Sequence, residues 1–117
     1  MGMNVIKKSL WTAQALDNTT VTTDWVDVSQ LIKGSFSFVW SAGSTPVGTV
    51  TVLVSNLPSK ADANTLTLST TLSVSGASGA HVANIDEIPG RFMALRYTGS
   101  SGTATAAVDF FGKGHGQ

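Results

Sequence analysis

The stretch Gly48–Asn56 reads Gly-Thr-Val-Thr-Val-Leu-Val-Ser-Asn. β-Branched residues in this density lose χ1 freedom in a helix and pack well on a pleated surface. As an extended chain it puts Val50, Val52 and Val54 on one side and Thr49, Thr51, Leu53 and Ser55 on the other, the alternation of a half-buried strand. Leu53 breaks the polar series, so the second face is expected to meet a loop or another subunit. Pro46-Val47-Gly48 before the stretch and Asn56-Leu57-Pro58 after it carry chain-reversing signals.

The same period recurs along the chain. Ser35–Ser41 sets Phe36, Phe38 and Trp40 against Ser35, Ser37, Val39 and Ser41. Aromatic rings bury roughly 150–250 Å² each, so this strand is expected to carry much of the core. Arg91–Thr98 sets Met93, Leu95 and Tyr97 against Phe92, Ala94 and Arg96. Gly99-Ser100-Ser101-Gly102 is expected to turn the chain, with Thr103–Phe111 returning as a hairpin partner through Ala104, Ala106, Val108 and Phe110. Val5–Ala15 reads as a strand or an extended arm. Thr20–Val28 reads as a strand entering the core near Trp25 or Val26, and Leu31 or Ile32 as a plug at one end. Thr65–Val74 is one long strand or two short ones, and His81–Ile85 is a short strand ended by the Pro89-Gly90 turn. Ala42–Gly48, Leu57–Asn64 and Ser75–Ala80 read as loops.

About seven to nine short strands with no convincing helix predict an all-β fold, a single antiparallel β-sandwich of jelly-roll type. Residues 1–12 are read as an N-terminal arm or first strand, 13–112 as the sandwich domain, and 113–117 as a flexible tail.

Of the 117 residues, 12 % are charged, about half the roughly 25 % of an ordinary soluble domain. Ser, Thr, Gly, Ala and Val take their place, and a polar but uncharged surface can be set against another protein with little desolvation penalty. Lysine and arginine total seven, matched by seven acids, with no basic stripe of the kind phosphate backbones need, so no nucleic-acid partner is expected. The absence of cysteine removes disulfides and thiolate metal sites. No apolar run approaches the roughly 18 residues of a membrane-spanning helix, and Lys7-Lys8 has no apolar segment behind it, so neither a membrane partner nor a signal peptide is expected.

Little points to chemistry. His81 lies near Asp86, but no serine stands out as a nucleophile and His115 sits in a glycine-rich tail. Asp24–Asp27 and Asp86-Glu87 lack the spacing of a calcium loop. Gly112-Lys113-Gly114 lacks the rest of a phosphate loop. No catalytic, cofactor or metal site is expected, and the chain is read as non-enzymatic. Arg91 and Arg96 are expected to pair with Asp109 or Asp86 across the sheet, the alternative being a carboxylate on a partner.

Three segments in order, Thr45–Asn56, Ile88–Thr98 and Ser101–Thr105 running to Phe111-Gly112-Lys113-Gly114, resemble small virion proteins of tailed bacteriophages. Their spacing is also similar to galactose-binding-like (discoidin) jelly rolls, although this chain continues from Asn56 into Leu57-Pro58-Ser59-Lys60 where that pattern has Asp-Gly and a tryptophan. The resemblance implies a head decoration (cement) protein, made in the bacterial host cytoplasm and resident on the virion's capsid surface. Its implied partners are the major capsid protein or other virion subunits, and copies of itself in a homo-oligomer such as a trimer. It implies contacts through the three loops and through an arm at Met3–Trp11. The alternatives are a carbohydrate-binding module with exposed tryptophans among Trp11, Trp25 and Trp40, or a tail or neck accessory subunit.

Overall fold

The computed structural model describes residues 5–66, 68 and 72–114. Eight strands follow one another: β1 (Val5–Leu16), β2 (Thr20–Thr22), β3 (Val26–Asp27), β4 (Leu31–Ser55), β5 (Asn64–Leu66), β6 (Leu72–Ser75), β7 (Gly79–Ile85) and β8 (Phe92–Gly114). Every pairing is antiparallel.

The architecture is set by β4 and β8, 25 and 23 residues long, against about 5–6 for an average strand. They pair with each other from Leu31↔Gly114 to Ser55↔Phe92. Each bends midway, so that the single eight-stranded sheet folds over into two layers, a front sheet and a back sheet. In β4 the register slips between Ser41 and Ser44, between Ser44 and Val47, and between Val47 and Gly48. Ala42 and Thr45 there take φ of +53° and +47°. Such bulges bend a strand and increase its twist. Facing them, Gly102 of β8 takes φ +74°. The front sheet beyond this corner runs β1, the C-terminal half of β8, the N-terminal half of β4, then β7. The back sheet has β2 and β3 on the N-terminal half of β8, then the C-terminal half of β4, then β5 and β6.

The core lies between the sheets. Phe36, Phe38, Trp40, Ala106, Val108 and Phe110 enter from the front, and Val26, Val50, Val52, Val74, Met93, Leu95 and Tyr97 from the back. Phe38 stacks on Tyr97 across the gap, with centroids 6.1 Å apart and planes 12° from parallel. The alternating faces expected from sequence are therefore the core faces, and the molecule is an antiparallel β-sandwich.

The corner corrects two expectations. Ala42–Gly48 is no loop and Gly99–Gly102 no hairpin turn: both are corners inside continuous strands, and the segments before and after each remain bonded to the same partner strand. Thr20–Val28 divides into β2 and β3. Thr23 stitches the gap, its amide donating to the Leu95 carbonyl at 2.9 Å and its hydroxyl accepting from the Leu95 amide at 3.0 Å. Val26, not Trp25, is fully buried. Leu31 is the buried member of the Leu31–Ile32 pair. Val5–Leu16 is a strand along β8, so Val5–Trp11 form no free arm; Met3 and Asn4 lie outside the described residues. Lys113 and Gly114 complete β8, which shortens the expected tail to 115–117, outside the described residues with His115.

Tyr97 is 1 % exposed and its hydroxyl has no hydrogen-bond partner among the described residues. Gly48 makes room for it, since a Cβ at that position would fall 2.5 Å from the hydroxyl oxygen. A buried, unpartnered hydroxyl costs about 1–3 kcal/mol in desolvation. Tyr97→Phe is therefore expected to match or exceed the parent in urea denaturation, by up to about 1 kcal/mol. A loss of stability of that size would show instead that the hydroxyl is bonded.

Candidate functional site

Residues pointing away from the core on the front sheet form rows across four strands, read from the register. One row is Val5, Lys113, Lys33; the next is Lys7, Phe111, Ser35, Asn84; the next Ser9, Asp109, Ser37, Val82; the last Ala107, Val39, Ala80. The row positions follow from period-two alternation: once Phe36, Phe38 and Trp40 face inward, Ser35, Ser37 and Val39 must face out.

This outward face is unusual in two respects. Val39 and Val82 stand 47 % and 57 % exposed, and Val5 lies on the same side. Around the valines the side chains are small, Ser35, Ser37, Ser41, Ala80 and Ala107, which keeps the surface flat. At the other end Phe111 is half-buried and forms a ridge between two shallow grooves. One, about 370 Å³, is lined by Lys7, Ser9, Ser37, Asp109 and Phe111. The other, about 160 Å³, is lined by Lys33, Ser35, Asn84, Asp86 and Lys113 on the far side of the ring.

The outward face of the back sheet is different, because the chain covers part of it. Leu53 and Ala94, register partners, are 6 % and 0 % exposed in the single chain yet stand apart from the central core. The expectation that Leu53 meets something other than solvent holds, and the cover is intramolecular. Beside this pair the Lys60 ammonium sits 4.3 Å from the centre of the Phe92 ring and 6.0 Å from that of Trp25, a cation–π arrangement. Lys60, with φ +62°, turns the Leu57–Asn64 loop back on itself, and its ammonium donates to the Pro58 carbonyl at 2.7 Å.

Asp62 anchors that loop. Its carboxylate accepts from the Ser55 hydroxyl, from the Asn56 amide at 3.1 Å and from the Leu57 amide at 3.4 Å. The Ser55 bond above all, then the Asn56 amide, hold its carboxyl below the ordinary carboxylate range. Asp17 is lowered by Thr19, first through the hydroxyl bond, and Asp27 by Ser29, first through the backbone amide. A carboxyl with a depressed folded-state pKa stabilises the fold above its unfolded value, 3.8 here, and that contribution is lost as pH falls through the lower folded value. The urea midpoint is expected to hold from pH 7 to about 5 and to fall below about 4. Asp62→Asn should remove part of that acid dependence; an unchanged acid limb would show that the Asp62 bonds do not form in solution.

The residues weighed for chemistry do not converge. The His81 ring bonds the Ser73 carbonyl through Nε2 and packs against Trp40, centroids 5.5 Å apart. Among the described residues no group of three His, Cys, Asp or Glu side chains is placed to hold a metal ion. Arg96 stands between Thr22 and Thr51 on the back sheet, whereas Asp109 is on the front sheet, so the expected Arg96–Asp109 pairing is precluded by the corner that separates them. Arg91 lies near enough to lower the Asp27 pKa by its charge. Trp40 is 5 % exposed and bonds the Gly76 carbonyl through Nε1. Trp11 packs edge-on against Phe38 and Trp25 lies near Lys60, so the three indoles form no shared stacking platform.

Two of the segments expected to make contacts are also anchored to each other within the fold. The Gly43 amide, in the corner, donates to the Ala77 carbonyl at 2.9 Å, locking the β6–β7 turn onto the bend. The front face was missed in sequence because Lys7, Lys33 and Lys113 come together only through β1–β8–β4 pairing.

No protein-family model matches the chain, and no curated protein matches it by sequence. Solved structures do match in fold. A chain from the structure of infectious bursal disease virus, Gx strain, superposes with a TM-score of 0.64 at 12 % identity, over 97 % of this chain and 33 % of that one. This protein thus spans about a third of the viral chain. The SPBc2 prophage-derived protein YomS matches with a TM-score of 0.53 at 12 % identity, over 95 % and 94 % of the two chains. A chain from Bacillus endospore appendages, described as a family of disulfide-linked pili, matches with a TM-score of 0.50 at 16 % identity, over 97 % and 91 %. The present chain has no cysteine, so it cannot reproduce those disulfide links. At these identities the likeness establishes a shared sandwich fold.

Proposed function

We propose that the protein is a non-enzymatic bacteriophage virion subunit, a capsid decoration protein that docks on the assembled head through the outward face of its front sheet. The observation that carries this reading is the contrast between the two outward faces. The back sheet is partly covered by its own chain and exposes Val47 near the corner; the front presents Val39 and Val82 together with small side chains and an aromatic ridge on a flat four-strand surface. Exposed apolar surface rimmed by polar residues marks an interaction site more often than a free surface. The fold shared with a chain of a virus and with a prophage-derived protein supports a virion setting.

A rigid sheet face suits this task physically. Its backbone is fixed by the strand ladders, so docking orders few groups and loses little conformational entropy. A decoration subunit would join neighbouring capsid subunits, and repeated or oligomeric engagement multiplies modest contacts by avidity.

The test is cosedimentation of the purified protein with intact heads of the encoding phage and, separately, with unassembled coat subunits. Binding to heads alone is expected. Absence from heads, together with absence from gradient-purified particles by mass spectrometry, would overturn the reading.

A further inference from the structure

The lysine end of the front face carries a more specific implication, which rests on the docking reading above. Lys33 and Lys113 are direct cross-strand partners on adjacent central strands, and Lys7 occupies the next row beside Phe111. Three of the five lysines in the chain thus fall in two consecutive rows. Like charges directly opposite one another destabilise a sheet. We propose that this end of the face is shaped for an acidic protein surface, whose Asp or Glu side chains receive Lys33, Lys113 and Lys7 around the Phe111 ridge.

The surrounding residues favour protein over other polyanions. Asp109 borders one groove beside Phe111 and Asp86 the other, so the lysines stand as separate positive points and not as the continuous basic stripe a phosphate backbone needs. Beyond them the face becomes Val39, Val82, Ala80 and Ala107, a surface that an apolar protein patch can cover and a nucleic acid cannot. A second copy of this chain is also a poor match. Its front face offers the lysines only Asp109 and Asp86, each already beside lysines of its own chain. The arrangement is that of an interface whose apolar part supplies contact area and whose charged end fixes register and orientation.

Two measurements test this. In the first, fluorescence anisotropy follows binding of the protein to poly-L-glutamate and to duplex DNA of matched charge at low salt. Poly-L-glutamate is expected to bind more tightly than DNA. Lys33→Glu should weaken poly-L-glutamate binding roughly 10-fold, and Lys60→Glu, the same charge change on the back sheet, less than about twofold. Equal losses from the two variants, or DNA bound as tightly as poly-L-glutamate, would overturn the proposal. So would concentration-dependent self-association that Lys33→Glu abolishes. In the second, carbodiimide, which joins amines to carboxylates in contact, is applied to purified particles and the links are mapped by mass spectrometry. Links from Lys33, Lys113 or Lys7 to Asp or Glu of a different protein support the proposal, and links to another copy of this chain, or none from these lysines, count against it. A protein absent from the particles fails the virion reading alone; the poly-L-glutamate comparison then still decides the charge chemistry.

Discussion

Gly102→Ala is expected to destabilise the protein by about 3–5 kcal/mol, while Gly76→Ala loses only about 1–2 kcal/mol. Both glycines have positive φ, +74° and +83°, so a side chain at either meets the same left-handed penalty. Their surroundings differ. A Cβ on Gly76 has nothing within 4 Å, whereas one on Gly102 would fall 2.1 Å from the Thr45 carbonyl oxygen and 2.7 Å from the Pro46 Cα. Those atoms are backbone and sit in the opposing corner of β4, so they cannot move aside without shifting the bend. The Gly102 variant therefore carries an overpacking penalty in addition to the dihedral one. Urea denaturation of the two variants side by side isolates that difference. Equal losses would mean that the two corners do not press on each other as described.

Val82→Asp is expected to leave the fold nearly unchanged and to weaken docking by about 30- to 5,000-fold. Val82 is 57 % exposed, and substitutions at such sites change stability by roughly 0.5 kcal/mol, with up to about 1 kcal/mol from lost strand propensity. In the docked state the same position lies in the third row of the face, beside Ser37, where a carboxylate would be desolvated with no partner. An unpaired charge buried in an interface costs about 2–5 kcal/mol, which gives the stated range. Leu57→Asp is the control: Leu57 is comparably exposed, at 46 %, but lies in the loop after Ser55 and away from the front sheet. Head cosedimentation of the two variants, each checked for an unchanged urea midpoint, measures the contrast. Equal binding by both would remove the front face from the docking account.

The sequence reveals the core of this fold more readily than its topology. Alternation over 35–41, 48–55 and 92–98 assigns Phe36, Phe38, Val50, Val52, Met93, Leu95 and Tyr97 to the interior, where they lie, because the inward positions of a strand depend only on local period. Whether Gly99-Ser100-Ser101-Gly102 reverses the chain or bends it depends on what faces it. Small, flexible residues serve both ends, and the deciding fact is that Ser101 and Thr103 stay bonded to Val47 and Ser44 of β4, a contact more than fifty residues distant. The docking face is hidden for a related reason. Val39 appears in the sequence as an outward residue of an aromatic strand, and Lys33 and Lys113 as isolated charges eighty residues apart. Only the β4–β8 ladder makes them one surface. Leu53 was the exception, since an apolar residue in a polar series signals cover whatever supplies it.

Hydroxyl-radical footprinting of the protein free and bound to intact heads tests the central claim most directly. Protection is expected at Val39, Val82 and Phe111 on the front sheet, with Trp25, Phe92 and Leu57 as reactive in the bound state as in the free one. Protection at Trp25, Phe92 and Leu57, with the front-sheet residues still reactive, would contradict it.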